Sequence, residues 1–396
     1  MMITNKFPQR FLSAFFLSSA LLLTNCKKED LPVEEQASAT QSELPSNEIA
    51  ATTAPAGSYN IINSLPSGYV KDGSRDYTAY LQSAIKNHSN IVFPGFPILV
   101  NEKGLEIGSN KIITFLNGSE LRMKATSSEK YNVIRLLRSS NVTLVDPVIT
   151  GDRKKHIGTR GEYGHGISIL SAKNITIKNA KISDCWGDGI YINQPTGLPV
   201  PENITISGSS FYRNRRNSIS VTCVNGFKVL NSYAYGLLES EGGTRPMSGI
   251  DFEPNFAYQK MKGIVVDNFT TEHMGAEGIQ LRFQNLYSSG FAGGNVIDLN
   301  INKHIDKGAV LAAFLMEAKN PSQYAAVSGT VNLTNCVWRS NPKYVYFGLG
   351  WNEPKVKINL TNPVIYNTSG SLLDVSTTVS VIKRYMRSNA VYTITK

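Results

Sequence analysis

A short apolar motif, Gly-Ile-x-Ile or a near variant, returns again and again along the chain. It reads Val133-Ile134-Arg135-Leu136, Gly166-Ile167-Ser168-Ile169, Gly189-Ile190-Tyr191-Ile192, Ser218-Ile219-Ser220-Val221, Gly249-Ile250-Asp251-Phe252, Gly278-Ile279-Gln280-Leu281 and, more weakly, Ala309-Val310-Leu311-Ala312. A second motif alternates with it: Asn141-Val142-Thr143-Leu144, Asn174-Ile175-Thr176-Ile177, Asn203-Ile204-Thr205-Ile206, Gly226-Phe227-Lys228-Val229, Gly263-Ile264-Val265-Val266, Asn295-Val296-Ile297-Asp298 and Gly329-Thr330-Val331-Asn332. From Ile167 the steps to Ile190, Ile219, Ile250 and Ile279 are 23, 29, 31 and 29 residues. Steps of that size, each holding two or three short strands bounded by Asn, Ser and Gly, fit one coil of a parallel β-helix with loops of varying length. A propeller blade would need a longer and more regular period. The expected fold is therefore all-β, a single-stranded parallel β-helix.

Alternation within each strand sends Ile167, Ile169, Ile190, Ile192, Ile219, Val221, Ile250 and Phe252 inward and the residues between them outward. Ahead of the coils, Asp76 to Ile85 reads as a short amphipathic N-terminal capping helix with Asp76 as N-cap, covering the open end of the first coil. Ala309 to Phe314, Tyr344 to Gly350 and Val356 to Leu360 are expected to continue the stack, and the segment after Leu372 to close it.

Stacking in register turns outward residues into columns with a spacing of about 4.8 Å. One column is Arg135, Ser168, Tyr191, Ser220, Asp251 and Gln280; the next is Leu137, Leu170, Asn193, Thr222, Glu253 and Arg282; His165, Asp188, Asn217 and Glu277 lie at the turn before the strands. Asp251 and Glu253 then face solvent together, roughly 6–7 Å apart, a separation that allows one to act as acid and the other as base across a glycosidic bond. Arg282 is expected beside Glu253, holding it ionised; the bland alternative is an exposed ion-pair ladder. Asp188 is a candidate third acid, although Gly187 and Gly189 around it also suit a plain tight turn. His165 and Tyr191 would instead serve as base and acid in a β-elimination, or bind sugar hydroxyls together with Asn193 and Gln280. Trp186, Tyr163 and Phe283 offer faces for sugar rings or for turn packing. The basic run around Arg153 would clamp carboxylates or sulfates, or form a solvated charge run.

The first 25 residues, with Lys6 and Arg10 before an apolar stretch too short to span a bilayer, read as an export signal. Leu23-Thr24-Asn25-Cys26 resembles a bacterial lipobox, which would place a lipid on Cys26, and Lys27-Lys28-Glu29-Asp30 looks like the charged tag of surface lipoproteins in Bacteroidetes-type bacteria. Residues 26–57, rich in Glu, Ser, Thr, Ala and Pro, form the expected tether, and residues 58–396 the β-helix. Removing the signal takes away two cations and no acid, so the formal charge falls from +10 to +8, which suits an acidic glycan or a merely basic surface. Basic and aromatic residues are not interleaved in any nucleic-acid module, so no nucleic-acid partner is expected. Cys185, Cys223 and Cys336, without C-x-x-C spacing, are expected to be buried free thiols.

Gly161-Glu162-Tyr163-Gly164-His165-Gly166-Ile167, Asp184-Cys185-Trp186-Gly187-Asp188-Gly189-Ile190-Tyr191-Ile192 and Gly249-Ile250-Asp251-Phe252-Glu253-Pro254-Asn255 resemble the pectate-lyase-superfamily β-helix of tailspike depolymerases and bacterial glycan-degrading proteins. The resemblance spans roughly residues 65 to 300 and implies a right-handed coil and a polysaccharide partner. The Asn-Thr-Asp and Asp-Asp motifs of polygalacturonases are absent, as is an obvious calcium-binding arrangement, so no cofactor is expected, with calcium the one alternative left open. The leading expectation is a surface-anchored glycoside hydrolase, touching the membrane through its lipid only. The alternatives are a polysaccharide lyase and a non-catalytic glycan-binding protein.

Overall fold

Each strand of the first motif pairs in parallel with its counterpart one coil away, and the register follows the motif. Ile167 lies beside Ile134 and Ile190, Ile219 beside Ile190 and Ile250, and Ile279 beside Ile250 and Phe314. The computed structural model describes residues 53–287, 295–317, 327–339, 343–347, 356–386 and 392–395. The export signal, Cys26 and most of the tether lie outside the described residues. Nine strands make one continuous parallel sheet: Leu105–Glu106, Lys130–Leu137, Tyr163–Leu170, Ile190–Asn193, Ile219–Val221, Ile250–Phe252, Glu277–Arg282, Ala312–Glu317 and Lys343–Phe347. The second motif and a third strand of each coil form the remaining walls, for example Lys173–Lys178 and Lys181–Ser183.

The inward residues Ile167, Ile190, Ile219, Ile250 and Ile279 are all fully buried in one apolar cluster that runs from Ile61 to Ile382. The three free thiols are buried as expected. The asparagines of the second motif make the corners. Asn110, Asn141, Asn174 and Asn203 all have φ between 54° and 58°, a left-handed conformation that Asn tolerates better than branched residues. Because an amide both donates and accepts, identical corners stack: Asn174 Nδ2 donates to Asn141 Oδ1 at 2.9 Å and Asn203 Nδ2 to Asn174 Oδ1 at 3.0 Å. Asn174→Ala is expected to cost about 1–2 kcal/mol in urea unfolding, and Asn174→Gly distinctly less, since glycine keeps the backbone conformation. Equal losses would exclude a backbone origin.

The capping helix spans Thr78–Asn87 and lays Leu81, Ala84 and Ile85 on the end of the stack. Its N-cap residue is Tyr77, not Asp76. The Asp76 carboxylate still serves the helix start from one residue earlier, accepting from the Thr78 N–H at 2.9 Å and its hydroxyl at 2.6 Å. At the other end a second helix, Val375–Tyr385, is capped by Asp374 and buries Thr378 and Ile382. Three motif members depart from expectation, the third being Gly329-Thr330-Val331-Asn332, where Val331 and not Thr330 continues the column through Leu299. Leu299, not Val296, pairs with Ile264, and Phe314, not Val310, pairs with Ile279; Val296 and Val310 are instead exposed.

Candidate functional site

The nine-stranded sheet carries the expected column outward: Arg135, Ser168, Tyr191, Ser220, Asp251 and Gln280 are successive register partners. Asp251 does not face solvent. It is 3% exposed, set between Ser220 and Gln280, with the Asn217 side-chain amide donating to its Oδ2 at 3.2 Å. Burial pushes its carboxyl well above the usual range, the neighbouring Glu253 charge adds to this, and contact with Gln280 and the Arg282 charge pull the other way. Its Oδ1 is left without a hydrogen-bond partner. Glu253, one residue past the strand, is half-buried and so more open to solvent. The segment thus sets a buried carboxyl, its pKa raised, two residues from a more accessible one.

A buried polar chain runs beside this column. Asp188 Oδ1 accepts from the Asn217 N–H at 3.0 Å, Asn217 Oδ1 accepts from the Ser248 N–H at 2.8 Å, and the Ser248 hydroxyl donates to Glu277 at 3.2 Å. Asn217 Nδ2 also reaches Ser220 at 2.9 Å, so this one amide ties the turn to the Asp251 column. Burial raises Glu277, against the Arg282 charge and the Ser248 hydrogen bond. At the start of the chain the Asp188 N–H donates to His165 Nδ1 at 3.0 Å, which puts the proton of the neutral ring on Nε2, an atom with no partner. Burial pushes His165 down to about 4, against the pull of Asp188, so the ring is neutral near pH 7. His165 stacks on Tyr191 with centroids 4.7 Å apart, and burial, followed by the Asp188 charge, pushes the Tyr191 phenol up to about 12.

A cleft of about 390 Å³ opens over these coils, walled by Tyr163, Tyr191, Lys130 and Arg135 and floored by Asn132, His165, Ser168 and Asn193. Tyr163 is 46% exposed with the Lys130 ammonium 5.4 Å from its ring centre. Asn193 accepts from the Thr222 hydroxyl at 2.6 Å. Beyond Glu253, the exposed Phe256 ring stacks on Tyr258 with centroids 5.3 Å apart, in a loop held by the fully buried Gln259, whose Oε1 accepts from the Asn255 and Phe256 N–H groups. Sequence reasoning passed over this pair; two aromatics in a short polar loop directly after the acids were the available signal.

Three expected contacts are not made. Arg282 pairs with Glu317 at 3.3 Å and donates to Gln280 at 3.0 Å rather than holding Glu253, because Glu317 is its register partner in the next coil. Arg153 is bound to Asp184 at 2.6 Å and does not line the cleft. Phe283 is fully buried, while Trp186 packs between His156 and Arg215, so neither presents a free face to sugar. Among the described residues no group of three or more His, Cys, Asp or Glu could hold a metal ion.

The family model for the right-handed β-helix region matches residues 85–236 and 165–380. The chain belongs to that family. Among curated proteins it is 28% identical over 225 residues to the uncharacterized protein YclG of Bacillus subtilis (strain 168), a match covering 49% of this chain and 38% of YclG. The chain therefore spans well under half of that relative. Among solved structures the right-handed β-helix superposes on a tailspike protein of E. coli bacteriophage HK620 in complex with a pentasaccharide, with a TM-score of 0.57 at 11% identity, covering 78% of this chain and 57% of the tailspike. It also superposes on the N-terminal fragment of bacteriophage Phi29 gene product 12, with a TM-score of 0.55 at 17% identity, covering 79% of this chain and 58% of that one. These likenesses show a shared fold.

Proposed function

We propose that the chain is a polysaccharide-degrading glycoside hydrolase in which Asp251 is the acid and Glu253 the base. The carrying observation is the buried Asp251 carboxyl, its pKa raised, two residues from the half-buried Glu253 just past the same strand. Asp251 delivers its proton to the glycosidic oxygen as the bond breaks, and Glu253 draws a proton from the attacking water. Their spacing, roughly 6–7 Å, falls at the lower edge of the range that leaves room for that water, so the anomeric centre is inverted. The glycan lies along the helix axis, where each coil advances about 4.8 Å, close to one pyranose unit. Tyr163, Tyr191 and the Phe256 ring supply apolar faces, and Asn193 on the cleft floor offers hydrogen bonds to hydroxyls. Asp188 supports the turn through Asn217 and acts at a distance from the sugar. The fold is one that, in the HK620 tailspike, holds a pentasaccharide. The lipid expected on Cys26 would hold the enzyme at the outer membrane, facing outward.

Elimination is the second reading, because His165 and Tyr191 share the cleft with Lys130 and Arg135. Two features weigh against it. The His165 lone pair on Nδ1 is taken by the Asp188 N–H, and the Tyr191 phenol keeps its proton, so neither is poised as a base. Incubation of the purified protein with acidic and neutral polysaccharides is expected to release new reducing ends without the ultraviolet absorbance of unsaturated uronic products. Unsaturated products would replace the hydrolase by the lyase, and tight binding with no cleavage would leave a glycan-binding protein.

A further inference from the structure

A cavity of about 610 Å³ lies between the capping helix and the first coil. Lys86, Lys103, Lys111 and Arg135 line it, with Glu106 as the only acid. Glu106 is already paired with Arg135 at 2.6 Å, and the Gln82 side chain grips its backbone at 2.7 and 3.0 Å. The three lysines form no ion pair among the described residues. Lys111 is 8% exposed, and its ammonium donates to the His88 carbonyl at 2.7 Å. A partly enclosed ammonium without a counter-charge is stabilised when an anion enters beside it. Arg135 lines both this cavity and the glycan cleft and so stands on the border between them.

We infer that this pocket is an anion-binding subsite for the far end of the glycan, which makes the substrate an acidic polysaccharide. The inference rests on the hydrolase reading only for where the chain is cut. Arg135 and Asp251 stand four register steps apart in one column, roughly 19 Å, or about four sugar units. An acidic group about four units from the scissile bond therefore reaches Arg135, and one about five units away or more reaches the lysines one coil further on. This sets the direction in which the chain lies, with its anionic end toward the capping helix, and disfavours short substrates.

The test measures binding in the Asp251→Asn protein, so that turnover does not interfere, with and without the further changes Lys86→Glu and Lys103→Glu. Both lysines are exposed, and an unchanged melting temperature confirms folding. Probes are octasaccharides of a uronic acid, of a sulfated glycan and of neutral glucose. At least one anionic octamer is expected to bind more tightly than the neutral one, to weaken with salt, and to lose at least about tenfold in affinity on charge reversal. The uronate and sulfate arms identify which anion is read. Binding of the neutral octamer as tight as either anionic one, failure of both anionic octamers to bind, or an anionic affinity unmoved by charge reversal would each overturn the inference. Cleavage by Asp251→Asn at the unmutated rate would instead count against the hydrolase reading and leave these binding results standing.

Discussion

Asp251→Asn is expected to lower kcat for glycan cleavage by about 10²–10⁴-fold while leaving glycan affinity nearly unchanged. Asparagine keeps the shape and the hydrogen bond from Asn217 but has no acidic proton to give to a leaving oxygen. Glu253→Gln should show the same split between turnover and binding, through loss of the base. The pH dependence provides a second readout. Asp251 is neutral in the folded chain well above the usual carboxylate range, so between its unfolded value, near 3.8, and its raised folded value the native state binds more protons than the unfolded one. Stability from this group is fully present below that window and is lost as pH rises through the folded value. Activity falls over the same upper range as the acid ionises. The Asp251→Asn protein, neutral at every pH, lacks this stability loss and should be the more stable of the two at alkaline pH. If both variants retain full activity, the assignment of acid and base is wrong.

Phe252→Ala is expected to destabilise the fold by about 3–5 kcal/mol. The Phe252 ring is fully buried and meets Phe227 edge-on with centroids 6.3 Å apart, on the strand that holds Asp251 and leads into Glu253. Its loss leaves a cavity behind the acid pair. Phe252→Leu, which fills more of the space, should recover part of both stability and activity. Urea unfolding decides the matter, and a cost under about 1 kcal/mol for the alanine variant would mean that the residue is not held in a packed interior.

The stacking was legible because it depends on period-two alternation around Ile190, Ile219, Ile250 and Ile279, a signal that survives without tertiary knowledge. Where the pattern weakened, the reading slipped. The motif at Ala309 was placed four residues too early, since Phe314 rather than Val310 continues the column. Register does set Arg282 one coil on from Glu253, but its ion pair goes to Glu317 in the coil beyond. The burial of Asp251 was also out of reach. It depends on Asn217 arriving from another coil, a contact between residues 34 apart that no local pattern encodes. Arg153 misled for a related reason: a basic run looked free until Asp184, 31 residues on, was seen to hold it.

The most direct measurement is a crystal structure of the Asp251→Asn protein with a bound acidic oligosaccharide. The chain should run along the nine-stranded sheet, with one glycosidic oxygen within about 3.2 Å of the residue 251 side chain and a water held by Glu253 on the opposite face of the sugar. A chain bound across another wall of the coil, or one whose glycosidic oxygens all lie away from residues 251 and 253, would contradict the assigned site.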